Sequence, residues 1–210
     1  QLKGKATITL KPHFYPQYSL TLDAKQFDIH EVSLVTSPTN REGLQFTYDS
    51  LELKIQLDKK YEAGEKFKIY IDYTAKPEER KAGGSAAITE DKGLYFINPL
   101  GTDSTKPIQI WTQGETESNS CWFPTIDKPN QKMTDELYIA HLKKHSSLSN
   151  GVLVSSTPIN DSTVIDYWKM DLPHAPYLIM MAIGDFSIVQ DRWRDVPVNY
   201  YVEGKYAPYA

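Results

Sequence analysis

Strict alternation of apolar and polar residues is the feature that most limits the folds open to this chain. The run from Leu51 to Leu57 alternates in this way, and the run from Phe67 to Tyr73 repeats the pattern after a loop that contains Gly64. Because successive side chains of a strand point to opposite faces, each run predicts a strand with one buried face. The short intervening loop predicts that the two strands pair antiparallel as a hairpin.

Shorter alternating runs continue along the whole chain. Residues 76–90 lose the alternation and predict an exposed loop, and 134–145 is compatible with either a strand or a helix. The other runs are Ala6–Leu10, Leu20–Leu22, Phe27–Ile29, Gly93–Phe96, Ile108–Thr112, Val152–Val154, Val164–Trp168, Tyr177–Ala182, Gly184–Val189 and Val198–Val202. Their number and spacing predict an all-β fold with mixed or antiparallel sheets in a sandwich or saddle, and with little helix.

Composition narrows the class of protein further. The chain has 210 residues, 40% of them hydrophobic, which is enough for a core, and we expect residues 1–210 to form a single domain. A net charge of -4 argues against nucleic acid as the main partner, since phosphate binding needs a basic face. No apolar run approaches the ~20 residues of a transmembrane segment. The chain opens on Gln1 without an apolar leader, so we expect it to be part of a longer protein. Its location stays open, and export of the parent is compatible with this start.

The stretch Trp111–Asn130 is the densest in chemistry, with two tryptophans, two prolines and three carboxylates. Gly114 follows a predicted strand, where the backbone must turn or let another group come close. Glu115 therefore stands just past a strand end. Asp127 lies between the two prolines, and we interpret it as a structural residue whose carboxylate accepts backbone N–H bonds in an Asx-type turn. Cys121 is the only cysteine and is interpreted as a small buried residue rather than a nucleophile.

The order of residues in this stretch resembles a family signature. Thr112-Gln113-x-Glu115 followed by Phe123-Pro124-x-x-Asp127-x-Pro129 is similar to the motif in the N-terminal domain of the aminopeptidase N family of zinc aminopeptidases. The resemblance implies that Glu115 binds the free α-amine of a peptide substrate and that Gln113 lines the first specificity pocket. Many members carry an arginine at the position of Ser120 and a proline at that of Thr116.

The same resemblance implies where the metal is held. In that family a C-terminal, thermolysin-like domain binds zinc through a His-Glu-x-x-His helix, and neither this string nor the family's Gly-x-Met-Glu-Asn loop occurs here. We therefore expect no catalytic residue and no metal ligand in this chain, zinc in the parent enzyme, and no activity of the chain alone. The implied partners are a peptide with a free N-terminus and the missing catalytic domain.

Three other interpretations compete with this one. His141 and His145 have zincin spacing but no glutamate between them, and on a strand they would be ~13 Å apart, so we interpret them as exposed polar residues. Glu115 and Glu117, two apart on an extended strand, would be separated by ~6.6–7 Å, near the gap of inverting glycosidases, although solvated loop acids are commoner. The third is a non-catalytic interaction module, such as a family member whose metal site has decayed.

Overall fold

The chain folds almost entirely into strands, as the computed structural model shows for residues 1–80 and 91–210. Strands hold 57% of the residues and helices 8%, so the predicted all-β fold is confirmed. The strands are β1 (Leu2–Leu10), β2 (Gln17–Asp23), β3 (Phe27–Ser37), β4 (Asn40–Gly43), β5 (Phe46–Tyr48), β6 (Glu52–Tyr61), β7 (Phe67–Ala75), β8 (Leu94–Ile97), β9 (Gln109–Thr112), β10 (Met133–Leu142), β11 (Ser146–Ser149), β12 (Val152–Pro158), β13 (Thr163–His174), β14 (Met181–Gly184), β15 (Phe186–Trp193) and β16 (Val196–Glu203). Four short 3₁₀ turns are Pro77–Glu79, Asn119–Cys121, Pro176–Leu178 and Gly204–Tyr209.

These strands belong to two compact units. The first comprises Gln1–Leu94, Gln113–Gln131 and Ala175–Leu178, and the second comprises Tyr95–Thr112, Lys132–His174 and Ile179–Ala210. Every strand pair whose register the structure describes is antiparallel. A single domain over residues 1–210 stays a prediction, and one thermal transition shared by both units is its test.

The first unit is a sandwich of two sheets. One sheet has the strand order β1-β7-β3-β4 and the other has β2-β6-β5. Apolar side chains from both sheets form one buried cluster, which includes Leu22, Val32, Leu53, Ile69 and Ile71. Their alternation with exposed polar residues leaves the outer faces to water, as expected for packed antiparallel sheets.

The predicted hairpin between the two most regular runs is wrong in its pairing. Leu53, Ile55 and Leu57 are buried, as are the apolar residues of β7, so the assignment of faces is confirmed from Leu53 onward, whereas Leu51 is 54% exposed. However, β6 pairs with β2 and β5, while β7 pairs with β1 and β3. The two runs lie in different sheets of the sandwich. Their apolar faces pack against each other in the common core, and their backbones do not hydrogen-bond to each other.

The second unit contains three smaller sheets, ordered β10-β13-β12, β11-β14-β9-β8 and β15-β16. Residues 134–142, which the sequence left ambiguous, form most of β10. Ile139, Val164 and Trp168 lie on the buried face of the first of these sheets. The unit has a smaller apolar core than the sandwich and places polar groups in it.

The prediction that His141 is exposed is wrong. His141 is 8% exposed, and its Nε2 lies 2.8 Å from Oδ2 of Asp166, which also accepts a hydrogen bond from Ser147. Burial alone would raise the pKa of the Asp166 carboxyl, but hydrogen bonds from Ser147, Ser156 and His141 outweigh it and hold that pKa below its usual range. A buried imidazole is tolerated here because a carboxylate across the sheet satisfies it. His145 is half-buried.

Two further features concern the chain outside the sheets. Of the predicted exposed loop at 76–90, residues 81–90 lie outside the described residues, while Pro77 is buried at the start of a 3₁₀ turn. Within the described ranges, no helix has the length and apolar character needed to cross a membrane.

Candidate functional site

The candidate site is the loop that follows β9, residues 113–118, named here the Glu115 loop. One hydrogen bond anchors its start to another segment, and a second closes the loop on itself. The N–H of Gln113 donates to the carbonyl of Gly93 at 2.9 Å, and the N–H of Ser118 donates to the carbonyl of Gly114 at 2.9 Å. The 3₁₀ turn Asn119–Cys121 follows directly. Between these anchors the backbone turns and carries Glu115 at its exposed tip.

Position 114 requires glycine because the backbone of another segment lies too close to it to leave room for a side chain. A Cβ atom added at this position would lie 2.2 Å from the carbonyl oxygen of Tyr177 and 2.7 Å from Nδ2 of Asn119. Any side chain would therefore displace one of these groups. The sequence predicted a turn or a close approach at Gly114, and the approaching group is the protein's own backbone.

The two glutamates of the loop have different surroundings. Glu117 forms an ion pair with Lys128, with 2.6 Å between Oε2 and Nζ. Glu115 is exposed, and within the described part of the chain its carboxylate has neither a hydrogen bond nor an ion pair. Residues 115–118 form a turn rather than an extended strand. The geometric premise of the glycosidase interpretation, two carboxylates on one side of a strand, is therefore wrong.

Ser120, which stands where many family members have an arginine, is completely buried. Its N–H donates to Oδ2 of Asp127 at 2.9 Å, and its carbonyl accepts from the N–H of Lys25 at 2.8 Å. The Nζ of Lys25 donates to the carbonyl of Glu117. A cation from another part of the chain thus reaches this loop, whereas position 120 itself holds only a small side chain.

Asp127 is structural, as predicted, although it does not form an Asx-type turn. The residue is 2% exposed, and the backbone N–H that it accepts comes from Ser120, seven residues earlier. Its own N–H donates to Oδ2 of Asp23 at 2.8 Å. Burial raises the pKa of the Asp127 carboxyl, against the opposing effect of the hydrogen bonds from Ser120. The carboxylate joins the 3₁₀ turn to the segment between the prolines.

Cys121 is fully buried, which confirms its interpretation as a small interior residue. The Nη1 of Arg80 lies 2.9 Å from its sulfur, and Arg80 also pairs with Asp91 at 2.5 Å. Burial nevertheless raises the pKa of the thiol above its usual value. A thiol that is inaccessible and protonated is a poor nucleophile.

Gln113 and Glu115 both lie on the Glu115 loop, the first half-buried and the second exposed. Sequence reasoning missed Asn119, which is completely buried and bonds to its near neighbour Trp122 and to the distant Pro176. No periodicity could have identified it, because its partners are distant in sequence or belong to an irregular turn. Among residues 1–80 and 91–210, no group of three or more His, Cys, Asp or Glu is arranged to hold a metal ion.

Comparison with solved structures shows the same fold in metallopeptidases. A mutant two-domain M1 zinc metallopeptidase bound to L-arginine superposes with a TM-score of 0.71 at 13% identity, over 95% of this chain and 42% of that one. An M1 zinc metallopeptidase from Deinococcus radiodurans gives a TM-score of 0.70 at 12% identity, with the same coverage of both chains. At such identities the likeness shows the fold alone.

Sequence comparison identifies the family. Leucine aminopeptidase 2 of Candida glabrata is 26% identical over 167 residues, which cover 79% of this chain and 23% of that protein. Aminopeptidase B of Rattus norvegicus is 25% identical over 199 residues, which cover 89% of this chain and 28% of that protein. The chain thus spans about a quarter of the length of these relatives. The family model described as the Peptidase M1 N-terminal domain matches residues 1–178. The chain therefore belongs to the M1 peptidase family and represents its N-terminal domain.

Proposed function

We propose that this chain is the substrate-recognition domain of a zinc-dependent aminopeptidase. In this proposal Glu115 binds the α-ammonium of a peptide's N-terminal residue, and Gln113 lines the pocket for that residue's side chain. Zinc and the hydrolytic residues belong to a C-terminal catalytic domain that this sequence does not contain. The curated relatives described above carry the names of aminopeptidases, which supports the reaction class.

The chemistry of the reaction explains why a carboxylate is needed. An aminopeptidase must distinguish the end of a peptide from its interior, and the α-amine, with a pKa of about 7.7–8.0, is the charge that marks this end. A carboxylate held at a fixed distance from the scissile bond binds that charge and sets the number of residues removed. An exposed carboxylate on a rigid loop meets this requirement.

The observation that carries the proposal is the contrast between two neighbouring glutamates. Glu117 is neutralised by Lys128, whereas the exposed Glu115 carboxylate has no partner among the residues that the structure describes. A backbone hydrogen bond to Gly93 anchors the loop, and one between Ser118 and Gly114 closes it, so the carboxylate is held on an ordered turn without an internal partner. The described residues offer no group of three or more His, Cys, Asp or Glu arranged to hold zinc.

The test is a series of substitutions at Glu115 in the enzyme that joins this domain to its catalytic domain. A charge-assisted hydrogen bond contributes ~1.5–3 kcal/mol, so Glu115→Ala should lower kcat/KM for aminoacyl substrates by roughly 10- to 150-fold. Glu115→Gln keeps the shape but loses the charge, and it should fall between Glu115→Ala and the wild type. Thermal stability should not change, because the side chain lies on an exposed tip.

Glu117→Ala is the matched control, since it removes a carboxylate two residues away that takes part in an exposed ion pair of small energy. It should leave kcat/KM within about twofold of wild type. A Glu115→Ala enzyme as active as wild type, or a larger loss at Glu117, would remove the amine-binding role. An enzyme without any peptidase activity, but with a tight protein partner, would favour the interaction module instead.

A further inference from the structure

Asn119 joins two segments of the first unit, 113–131 and 175–178, through its side-chain amide. Its Nδ2 donates to the carbonyl of Pro176 at 2.6 Å, and its Oδ1 accepts from Nε1 of Trp122 at 2.8 Å. The indole can only donate and the carbonyl can only accept, so one orientation of the amide satisfies both. The residue is completely buried, and an unpaired amide there would be costly.

The same amide lies against the backbone of the Glu115 loop. The position of a Cβ atom on Gly114 would be 2.7 Å from Nδ2 of Asn119 and 2.2 Å from the carbonyl of Tyr177. Asn119 and the 176–177 backbone therefore form a wall against which Gly114 packs without a side chain between them. The hydrogen bond from the N–H of Ser118 to the carbonyl of Gly114 closes the loop on its other side. Glu115 is the residue that projects between these two restraints.

We infer that Asn119 is the positioning residue for the Glu115 carboxylate. It does not touch the substrate; it holds the backbone of Gly114 in place, so that Glu115 meets the peptide's ammonium at one distance. This inference rests on the proposed function. An asparagine suits the task because its side chain offers a donor and an acceptor in opposite directions, which alanine, leucine or aspartate cannot reproduce. Small displacements of a binding group cost large factors in rate, so the geometry matters as much as the charge.

A double-mutant cycle in the enzyme that joins this domain to its catalytic domain tests the inference. Asn119→Ala should lower kcat/KM for free-amine substrates by at least about fivefold when Glu115 is present. In a Glu115→Ala background the same substitution should change kcat/KM by less than about twofold, because there is no carboxylate left to misplace. Equal losses in both backgrounds would mean a general structural role and would overturn the inference.

Inhibitor binding provides a second readout that a merely structural role would not move. Asn119→Ala should raise the inhibition constant of an amine-bearing substrate analogue by about fivefold or more, and that of its des-amino counterpart by less than about twofold. Parallel weakening of both inhibitors would contradict the positioning role. Asn130→Ala is the matched control, since Asn130 is an exposed asparagine in the same stretch, and it should affect neither inhibitor.

A milder variant covers the case in which Asn119→Ala does not fold. Trp122→Phe keeps an aromatic ring but removes the Nε1 donor that holds Oδ1 of Asn119. It should show the same selective loss toward the amine-bearing inhibitor, at least about twofold, and an unchanged inhibition constant for that inhibitor would overturn the inference. If Glu115→Ala itself has no effect, the proposed function fails. If Glu115→Ala has its effect and the variants of Asn119 and Trp122 lack theirs, only the positioning role fails.

Discussion

Asp127 shows how a single buried carboxylate can hold an irregular segment together. One of its oxygens accepts the N–H of Ser120, while the other has no hydrogen-bond partner among the described residues. The backbone of Asp127 is tied in turn to Asp23, so the residue joins the 3₁₀ turn to β2. The charge itself is unfavourable in this position, since burial raises the pKa of the carboxyl.

This raised pKa predicts a dependence of stability on pH. Because the folded-state pKa lies above the ordinary value of 3.8, the contribution of this group is fully present below that value and is lost as the pH rises through the raised pKa. Asp127→Asn removes the titration and keeps an acceptor for Ser120. The difference in Tm, variant minus wild type, should therefore become more positive between about pH 4 and about pH 7 in thermal melts.

Asp161→Asn is the control for this prediction, because Asp161 is an exposed residue of a turn. Its difference in Tm is subtracted from that of Asp127→Asn, so that effects common to any exchange of aspartate for asparagine are removed. A difference for Asp127→Asn that is constant with pH would mean that folding does not shift this pKa, and one that grows more negative with rising pH would mean that the charged carboxylate is stabilising; either result would contradict the assigned direction.

At the scale of single elements, β6 and β7 show that the faces of a strand and its partners are decided separately. Ile69 on β7 is completely buried, opposite Ile8 of β1 and Leu34 of β3. Its neighbour Lys68 points to the outer, exposed face. Both facts follow from a period of two, whichever strands lie alongside.

Ile69→Asp should therefore unfold or aggregate the domain. An unpaired charge in the core costs several kcal/mol against a total stability of ~5–15 kcal/mol. Lys68→Asp places the same side chain on the adjacent, exposed position and should melt close to the wild type. Circular dichroism with thermal melts measures both variants. An Ile69→Asp protein with a wild-type melting temperature would show that the buried face of β7 is assigned wrongly.

At the scale of the whole molecule, the chain corresponds to one domain of larger metallopeptidases. The family model matches residues 1–178. The fold superposes on about two-fifths of the length of larger zinc metallopeptidase chains. In the described ranges the histidines are either scattered or, like His141, bonded to a carboxylate within a sheet. In the proposed function, zinc belongs to another domain.

The isolated 210-residue chain should fold but bind no stoichiometric zinc and cleave no aminoacyl reporter. Elemental analysis after dialysis and a fluorogenic assay measure the two properties, and circular dichroism shows whether sheet structure is retained. The enzyme that joins this domain to its catalytic domain, treated identically, is the positive control. One zinc ion per isolated chain that survives a weak chelator would overturn the division of labour proposed here.

The sequence by itself determined the all-β class, the buried faces of the regular strands and the family, because alternation and a spaced motif are local properties of the chain. Only the tertiary structure decided that β6 and β7 lie in different sheets, since strand pairing depends on which faces share a core. It also decided that His141 is buried, because Asp166 on the neighbouring strand of the same sheet bonds to its imidazole. The tertiary structure likewise decided how the Glu115 loop is packed. Asn119 donates a hydrogen bond to the carbonyl of Pro176, and no local pattern encodes a contact between segments so distant in sequence.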